Sequence, residues 1–289
     1  MAAFDRILSG IPEMDAAFDS IRLGDNVVWR VSDLSQFRLF MEPYVEQAIR
    51  DQRNIIYLRF ASHEPLVTDR PEVKTVRLPL SHRFETFTVD IHNIIEHEGK
   101  DAFYVFDCLS DLQAAWATDL MMGNFFRVTC PFLFILDTVA FFPVIRGKHS
   151  VQAVSKILDT TQLFIDIYAD SRNLYVRPEK VWNRNSDTMF LPHIYEPDTG
   201  FFRPILDGVK SSRFYQTLAQ AQRSAEEQYA DSSYFIKSIS DHFTDRIRPV
   251  LTIIPDKHKM TYRSARECLI PRAFLMLNWM GNRYEKRSG

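Results

Sequence analysis

Short apolar runs alternate with stretches in which apolar residues recur every three or four positions, from the start of the chain to about residue 195. Asn26–Val31 (NVVWRV) follows a Leu23-Gly24-Asp25 turn and is β-branched and aromatic, which predicts a strand. Leu39, Phe40, Tyr44, Val45, Ala48 and Ile49 then fall on one face of a helix. Asn54–Phe60 (NIIYLRF) predicts the next strand, and residues 61–83 a loop with a short strand near Val76–Leu78. Phe84, Phe87, Ile91, Ile94 and Ile95 mark a helix that ends at Gly99, a natural C-terminal glycine. Phe103–Phe106 (FYVF) predicts a strand ending on Asp107, and Leu109, Leu112, Ala115 and Trp116 begin another helix.

Pro131–Leu136 (PFLFIL) predicts a fourth buried strand, and Ser150–Leu158 a helix. Gln162–Tyr168, Asn173–Val176 and Met189–Ile194 follow, with a turn at Asp170-Ser171-Arg172; these three pieces predict an antiparallel extension of the sheet. The expected fold class is therefore α/β, with a mainly parallel central sheet covered on both faces. Beyond Gly208 the composition shifts. Phe214–Tyr229 is rich in Ala, Gln and Glu, Tyr234–Ile247 repeats at helical spacing, and a last helix is expected from about Arg272 to Met280. The expected organisation is a core over 1–207 and a helical appendage over 208–289.

Composition narrows the classes. Hydrophobic residues make up 46% of the 289 and charged residues 25%, which places the chain among globular proteins rather than disordered ones. A net charge of −2 gives no general case for nucleic-acid binding. Eleven Lys and Arg against five Asp and Glu do fall from Ile236 onward, and the ordinary reading of such a run is a solvated helical face. Cys108, Cys130 and Cys268 are too few and too widely spaced for a disulfide framework or a zinc site. His92 and His97 stand five apart, so they do not share a helix face, and no metal is expected. The opening MAAFDRILSG lacks a signal-peptide pattern, and the longest apolar run, Pro131–Ile145, is broken by Asp137. A cytoplasmic protein without membrane insertion is expected.

The nine glycines exclude more than any motif includes. None lies within seven positions of another, so neither a G-x-G-x-x-G fingerprint nor a G-x-x-x-x-G-K-[ST] phosphate loop exists in the chain.

Several segments nevertheless resemble, in order, the RecA-type ATPases of the KaiC family. Ser9-Gly10-Ile11-Pro12-Glu13-Met14-Asp15 resembles that family's opening T-G-I-P-G-L-D, and Arg22-Leu23-Gly24-Asp25 with Val27-Val28 resembles its turn into the first core strand. Phe103–Leu112 (FYVFDCLSDL) resembles the Walker B strand, with Asp107 at the metal-side aspartate, and Phe132–Asp137 resembles the strand after it. The resemblance spans roughly residues 7–195 and implies a RecA-like three-layer fold with edge-to-edge association of subunits. Where the family carries its phosphate loop this chain reads Val31-Ser32-Asp33-Leu34-Ser35-Gln36-Phe37-Arg38. The glycine positions hold Val31 and Gln36, the lysine position Phe37 and the hydroxyl position Arg38. The family's paired glutamates fall on Ala61 and Ser62, with Glu64 close but shifted. Inward-turned backbone N–H groups, a lysine and a magnesium hydroxyl are what hold Mg·ATP; without them no ATP hydrolysis and no cofactor are expected.

A second stretch, Ile21–Pro65, is similar to an N-terminal region of some phosphoenolpyruvate-synthase-like proteins, which implies work beside a phosphotransferase partner. Three functional readings follow. The first is a RecA-like pseudo-ATPase acting as a protein-interaction or scaffold module, in a homo-oligomer or a heteromeric complex. The second is an accessory subunit of a phosphotransferase complex. The third is a divergent enzyme using His63, Glu64 and Asp107 at the sheet edge, where α/β folds bind ligands. Arg30, Arg38, Arg146, Lys148 and His149 are candidate anion contacts, and Phe201 and Phe202 a candidate partner anchor.

Overall fold

A computed structural model describes residues 5–79, 83–113, 115–116, 118–171 and 173–231. The chain opens with β1 (Arg6–Ile7), α1 (Pro12–Phe18) and β2 (Ile21–Arg22), β1 and β2 forming a small antiparallel ribbon. The main elements follow as β3 (Asn26–Val31), α2 (Leu34–Arg50), β4 (Ile55–Arg59), β5 (Val73–Arg77), α3 (Phe84–Glu98) and β6 (Phe103–Phe106). A 3₁₀ turn over Leu109–Gln113 leads to α4 (Leu120–Ile135), β7 (Val139–Ile145) and α5 (Val151–Thr160). Then come β8 (Leu163–Ala169), β9 (Leu174–Val181), β10 (His193–Glu196), β11 (Phe201–Pro204) and α6 (Gly208–Asp231).

Nine strands form one sheet in the order β11-β10-β9-β8-β3-β7-β6-β4-β5. The six from β8 to β5 are parallel, and β9, β10 and β11 add to them antiparallel. Strand periodicity splits the core in two. Val27, Trp29, Val31, Tyr57, Phe103, Val105 and Phe141 face α1 and α2. Val28, Ile56, Leu58, Tyr104, Phe106 and Phe142 face α3, α4 and α5. Burial on both faces is why these strands read as unbroken apolar runs rather than alternating ones. Gly10, at φ +84°, is required by close approach: a Cβ there would lie 2.3 Å from the Pro43 carbonyl oxygen of α2.

Three expectations are corrected. Pro131–Leu136 is no strand; it is the end of α4, and the strand of this region is β7. Six apolar residues fit a buried strand or a buried helix equally well. What decides is register: Met122, Phe126, Cys130 and Leu133 make one buried helical stripe against the sheet, whereas Ile135 is exposed. Asp137, at φ +54°, turns the chain between helix and strand. The second concerns Phe201 and Phe202, expected together as an exposed anchor: both lie in the edge strand β11, and Phe202 is buried. The antiparallel extension is present as β9, β10 and β11, but Gln162–Tyr168, expected to belong to it, forms β8, which pairs parallel with β3. Phe214 of α6 packs on Tyr168, Tyr175, Ile194 and Ile205. The helices expected over Tyr234–Ile247 and Arg272–Met280 lie outside the described residues. Among the described residues no helix is long and apolar enough to cross a membrane.

Candidate functional site

The carboxyl ends of β3, β4, β6 and β7 share one edge of the sheet, where the crossovers leave toward α2 on one face and toward α4 and α5 on the other. Ligands of open parallel sheets bind in such a crevice. Four polar groupings occupy it.

The first is the turn between β3 and α2. Asp33 is the N-cap of α2, and its Oδ1 accepts the Ser35 N–H at 2.7 Å. Gln36 reaches back, its Oε1 accepting the Ser32 N–H at 3.0 Å. This reciprocal capping satisfies N–H groups that a phosphate would otherwise need. Hydrogen bonds from Ser35 hold the Asp33 carboxyl below its ordinary range, so a fixed negative charge sits at the positive end of the helix. Arg38 points away and donates to the Pro65 carbonyl at 2.6 Å.

The second centres on Asp107, fully buried at the end of β6. Its Oδ2 accepts from Arg59 Nη1 at 2.6 Å and from the Phe60 and Ala61 N–H groups at 2.8 and 2.9 Å, while its Oδ1 accepts the Tyr57 hydroxyl. Tyr57 in turn accepts the Leu66 N–H, and burial together with the Asp107 charge pushes its phenol up, keeping it a donor. His63 Nε2 stands 3.8 Å from Asp107 Oδ1 and accepts the Cys108 N–H at 3.3 Å. That bond puts the ring proton on Nδ1, which donates to the Glu64 carbonyl at 2.7 Å. Glu64 itself is exposed. Cys108 is buried, and desolvation pushes its thiol up to about 12, so it supplies no thiolate at neutral pH.

The third joins β3, β7 and β8. Arg30 and Asp166 are register partners across β3 and β8, and Arg30 donates through Nε and Nη2 to both oxygens of Asp166. Arg146 approaches Asp166 at 3.2 Å, donates to the Ile167 carbonyl at 2.8 Å, and lies 4.0 Å over the Tyr168 ring. Burial opposes ionisation of Asp166, but Arg30 and Arg146 outweigh it and hold its carboxyl below the ordinary range. Two of the candidate anion contacts are thus engaged by an internal anion. Phosphate would have to displace a buried, bidentate carboxylate.

The fourth grouping is a chain of three side chains. Ser110 Oγ lies 2.8 Å from His149 Nε2, and His149 Nδ1 lies 2.7 Å from Asp119 Oδ1. The second Asp119 oxygen accepts the Ser150 N–H at 2.6 Å, and Ser150 caps α5. Burial works against ionisation of Asp119, yet these hydrogen bonds outweigh it and hold its carboxyl below the ordinary range. Lys148, next to His149, is exposed.

Structure and sequence thus meet unevenly. His63 and Asp107 come together, whereas Glu64 turns outward. Arg30 and Arg146 converge on Asp166, a residue no motif flagged. Ser110 and Asp119 were likewise missed, since they stand 39 and 30 positions from His149 and share no local pattern with it. At the far end of the sheet Phe201 is exposed, while Phe202 is buried and stacked on His193 at 4.7 Å; only Phe201 is placed to meet a partner. Among the described residues, no group of three His, Cys, Asp or Glu side chains converges as metal ligands would. Compared with known proteins, the chain matches no family model and no curated relative.

Proposed function

We propose that this chain is a RecA-like domain that neither binds nor hydrolyses nucleotide and serves as a protein-interaction module. The observation that carries the reading is the closure of the phosphate position by the chain's own side chains. Asp33 takes the Ser35 N–H in the first turn of α2, Gln36 takes the Ser32 N–H just before it, and Asp107 accepts from Tyr57, Arg59 and two backbone N–H groups. Three of these donors hold Oδ2 and the fourth holds Oδ1, so a magnesium ion would have to compete with fixed donors for this carboxylate. The RecA-like assignment is supported by the placement of β3, which leads into α2 from the centre of the nine-stranded sheet between β8 and β7, and by the antiparallel strands beyond β8.

The interaction role rests on the far end of the sheet. Among the described residues, six of the twelve exposed large apolar side chains (Trp182, Phe190, Phe201, Leu206, Val209 and Tyr215) fall between residues 182 and 215. β11, in the same part of the chain, is an edge strand with one side unpaired among the described residues. The opposite edge, β5, carries Lys74 and Arg77, charges of the kind that discourage strand pairing. Exposed apolar side chains gathered in one region of the chain are candidates for a contact site. Light scattering on the purified chain tests this. The expected particle is larger than one chain and is driven to monomer mass by Phe201→Ser with Leu206→Ser. A wild-type chain that is monomeric and indifferent to both substitutions contradicts the reading.

A further inference from the structure

Three residues on the carboxyl edge carry more than the interaction reading requires. Asp119 is hydrogen-bonded to His149 Nδ1 at 2.7 Å and is held ionised, so Nδ1 is the protonated nitrogen and donates to it. Nε2 is then a bare lone pair, and the group in front of it, at 2.8 Å, is the Ser110 hydroxyl. Ser110 Oγ accepts the Ile145 N–H at 3.0 Å and has the Cys108 thiol beside it, and Nε2 is the stronger of the two acceptors its proton can meet. The His149 side chain is only 1% exposed, which fixes the ring between its two partners. Ser110 sits in the 3₁₀ turn after β6, at the sheet edge.

The arrangement is a nucleophile, a base in hydrogen-bond reach and a third group orienting the base, the geometry by which hydroxyl nucleophiles are activated on unrelated folds. A purely structural bridge would need only an acceptor for the Ile145 N–H, which the Ser110 hydroxyl supplies whether or not a histidine follows it.

We infer that Ser110 is an activated nucleophile, with His149 as its general base and Asp119 as the residue positioning that base, directed at small acyl or phosphonyl electrophiles. With an ester, Ser110 Oγ bonds to the carbonyl carbon and its proton passes to His149 Nε2. The carbon–oxygen bond to the leaving group then breaks, and the departing oxygen takes the proton from Nε2. Water, deprotonated by the same nitrogen, releases the acid and restores the hydroxyl. With a fluorophosphonate the first half alone occurs: the Oγ–P bond forms, the P–F bond breaks, and the proton and fluoride leave as hydrogen fluoride. Ser110 is only 7% exposed, so the reagent must be small.

The test is reaction of the full chain with a small alkyl fluorophosphonate, followed by intact mass and peptide mapping. One adduct is expected, on Ser110, and it is absent in Ser110→Ala. His149→Gln, which keeps a polar side chain of similar reach, should slow adduct formation by about 100-fold or more. Asp119→Asn, which leaves the ring less well oriented, should slow it by about tenfold or more. Thermal unfolding of each variant separates lost chemistry from lost folding, and the mapped adduct on the unaltered chain needs no variant at all. No adduct on the folded chain, an adduct mapped to another residue, or a rate unchanged in folded His149→Gln would overturn the assignment.

Discussion

Asp107 and Asp119 stand on either side of the same 3₁₀ turn, at the same edge of the sheet, and they are used in opposite ways. Asp107 is fully buried, and its main partner is Arg59, a cation that never loses its charge. Tyr57 and two backbone N–H groups are its other donors. Asp119 is partly exposed, and its side-chain partner is His149, which can gain and lose a proton. Beyond His149 lies a hydroxyl. A carboxylate locked by permanent donors builds structure. One that orients a titratable ring leaves a nitrogen free to act. On the proposed reading, the same polar edge holds a nucleotide position that has closed and a serine site that has not.

Substitution at the locked carboxylate should give the largest effect. Asp107→Asn leaves the Arg59 guanidinium, itself mostly buried, without its counter-charge, and breaking such a pair costs about 3–5 kcal/mol. Urea denaturation measures it; a loss below about 1 kcal/mol would abolish the contrast.

A histidine in a different setting sharpens the comparison. His193 is fully buried between the rings of Phe18 and Phe202, and desolvation lowers its pKa to about 4. The unfolded chain protonates this ring below about 6.5, so it binds more protons than the native state between there and about 4. Stability from this group is present above about 6.5 and is lost as pH falls through that window. His193→Phe should remove this part of the acid loss, about 2–3 kcal/mol at pH 4. Asp15 and Asp25, both raised to about 6 by burial, act in the opposite direction over the same range. The quantity to measure is therefore the difference between the two proteins' stability-against-pH curves; parallel curves would exclude the role given to His193.

Asp119→Asn comes next. It weakens the bond to His149 and the acceptance from Ser150, for an expected loss of about 1–2 kcal/mol in the same denaturation experiment. A loss as large as that of Asp107→Asn would place Asp119 among the structural carboxylates. The smallest effect belongs to Asp33→Ala, which removes an N-cap at about 1 kcal/mol and should create no affinity for Mg·ATP, because the Asp107 oxygens stay occupied.

How far the sequence anticipates these features depends on whether the cause is local. Asn26–Val31 and Phe103–Phe106 are legible because burial on both faces demands unbroken apolar runs, and the helix ending at Gly99 because its spacing and its terminal glycine agree. Pro131–Leu136 misleads because six apolar residues carry no period, and the stripe that settles it begins at Met122, upstream of the run. At the site, Asp107 is visible as a strand-ending carboxylate, yet Tyr57 and Arg59, the residues that decide its use, lie 50 and 48 positions earlier. Arg30 and Arg146 look available for an anion until the register of β3 against β8 brings Asp166 to them. Ser110, His149 and Asp119 meet only because β6 and β7 pair, which no single stretch of sequence records.

The central claim is that the chain's own side chains fill the nucleotide position. Isothermal calorimetry with Mg·ATP, backed by thermal unfolding with and without the nucleotide, addresses it directly. The account predicts no binding heat and no stabilisation, whereas a ligand at a hundred times its Kd would add about 2.7 kcal/mol. Saturable binding of Mg·ATP, competed by Mg·ADP, would contradict it and mean that Asp33, Gln36 and Asp107 release their internal partners to receive phosphate and metal.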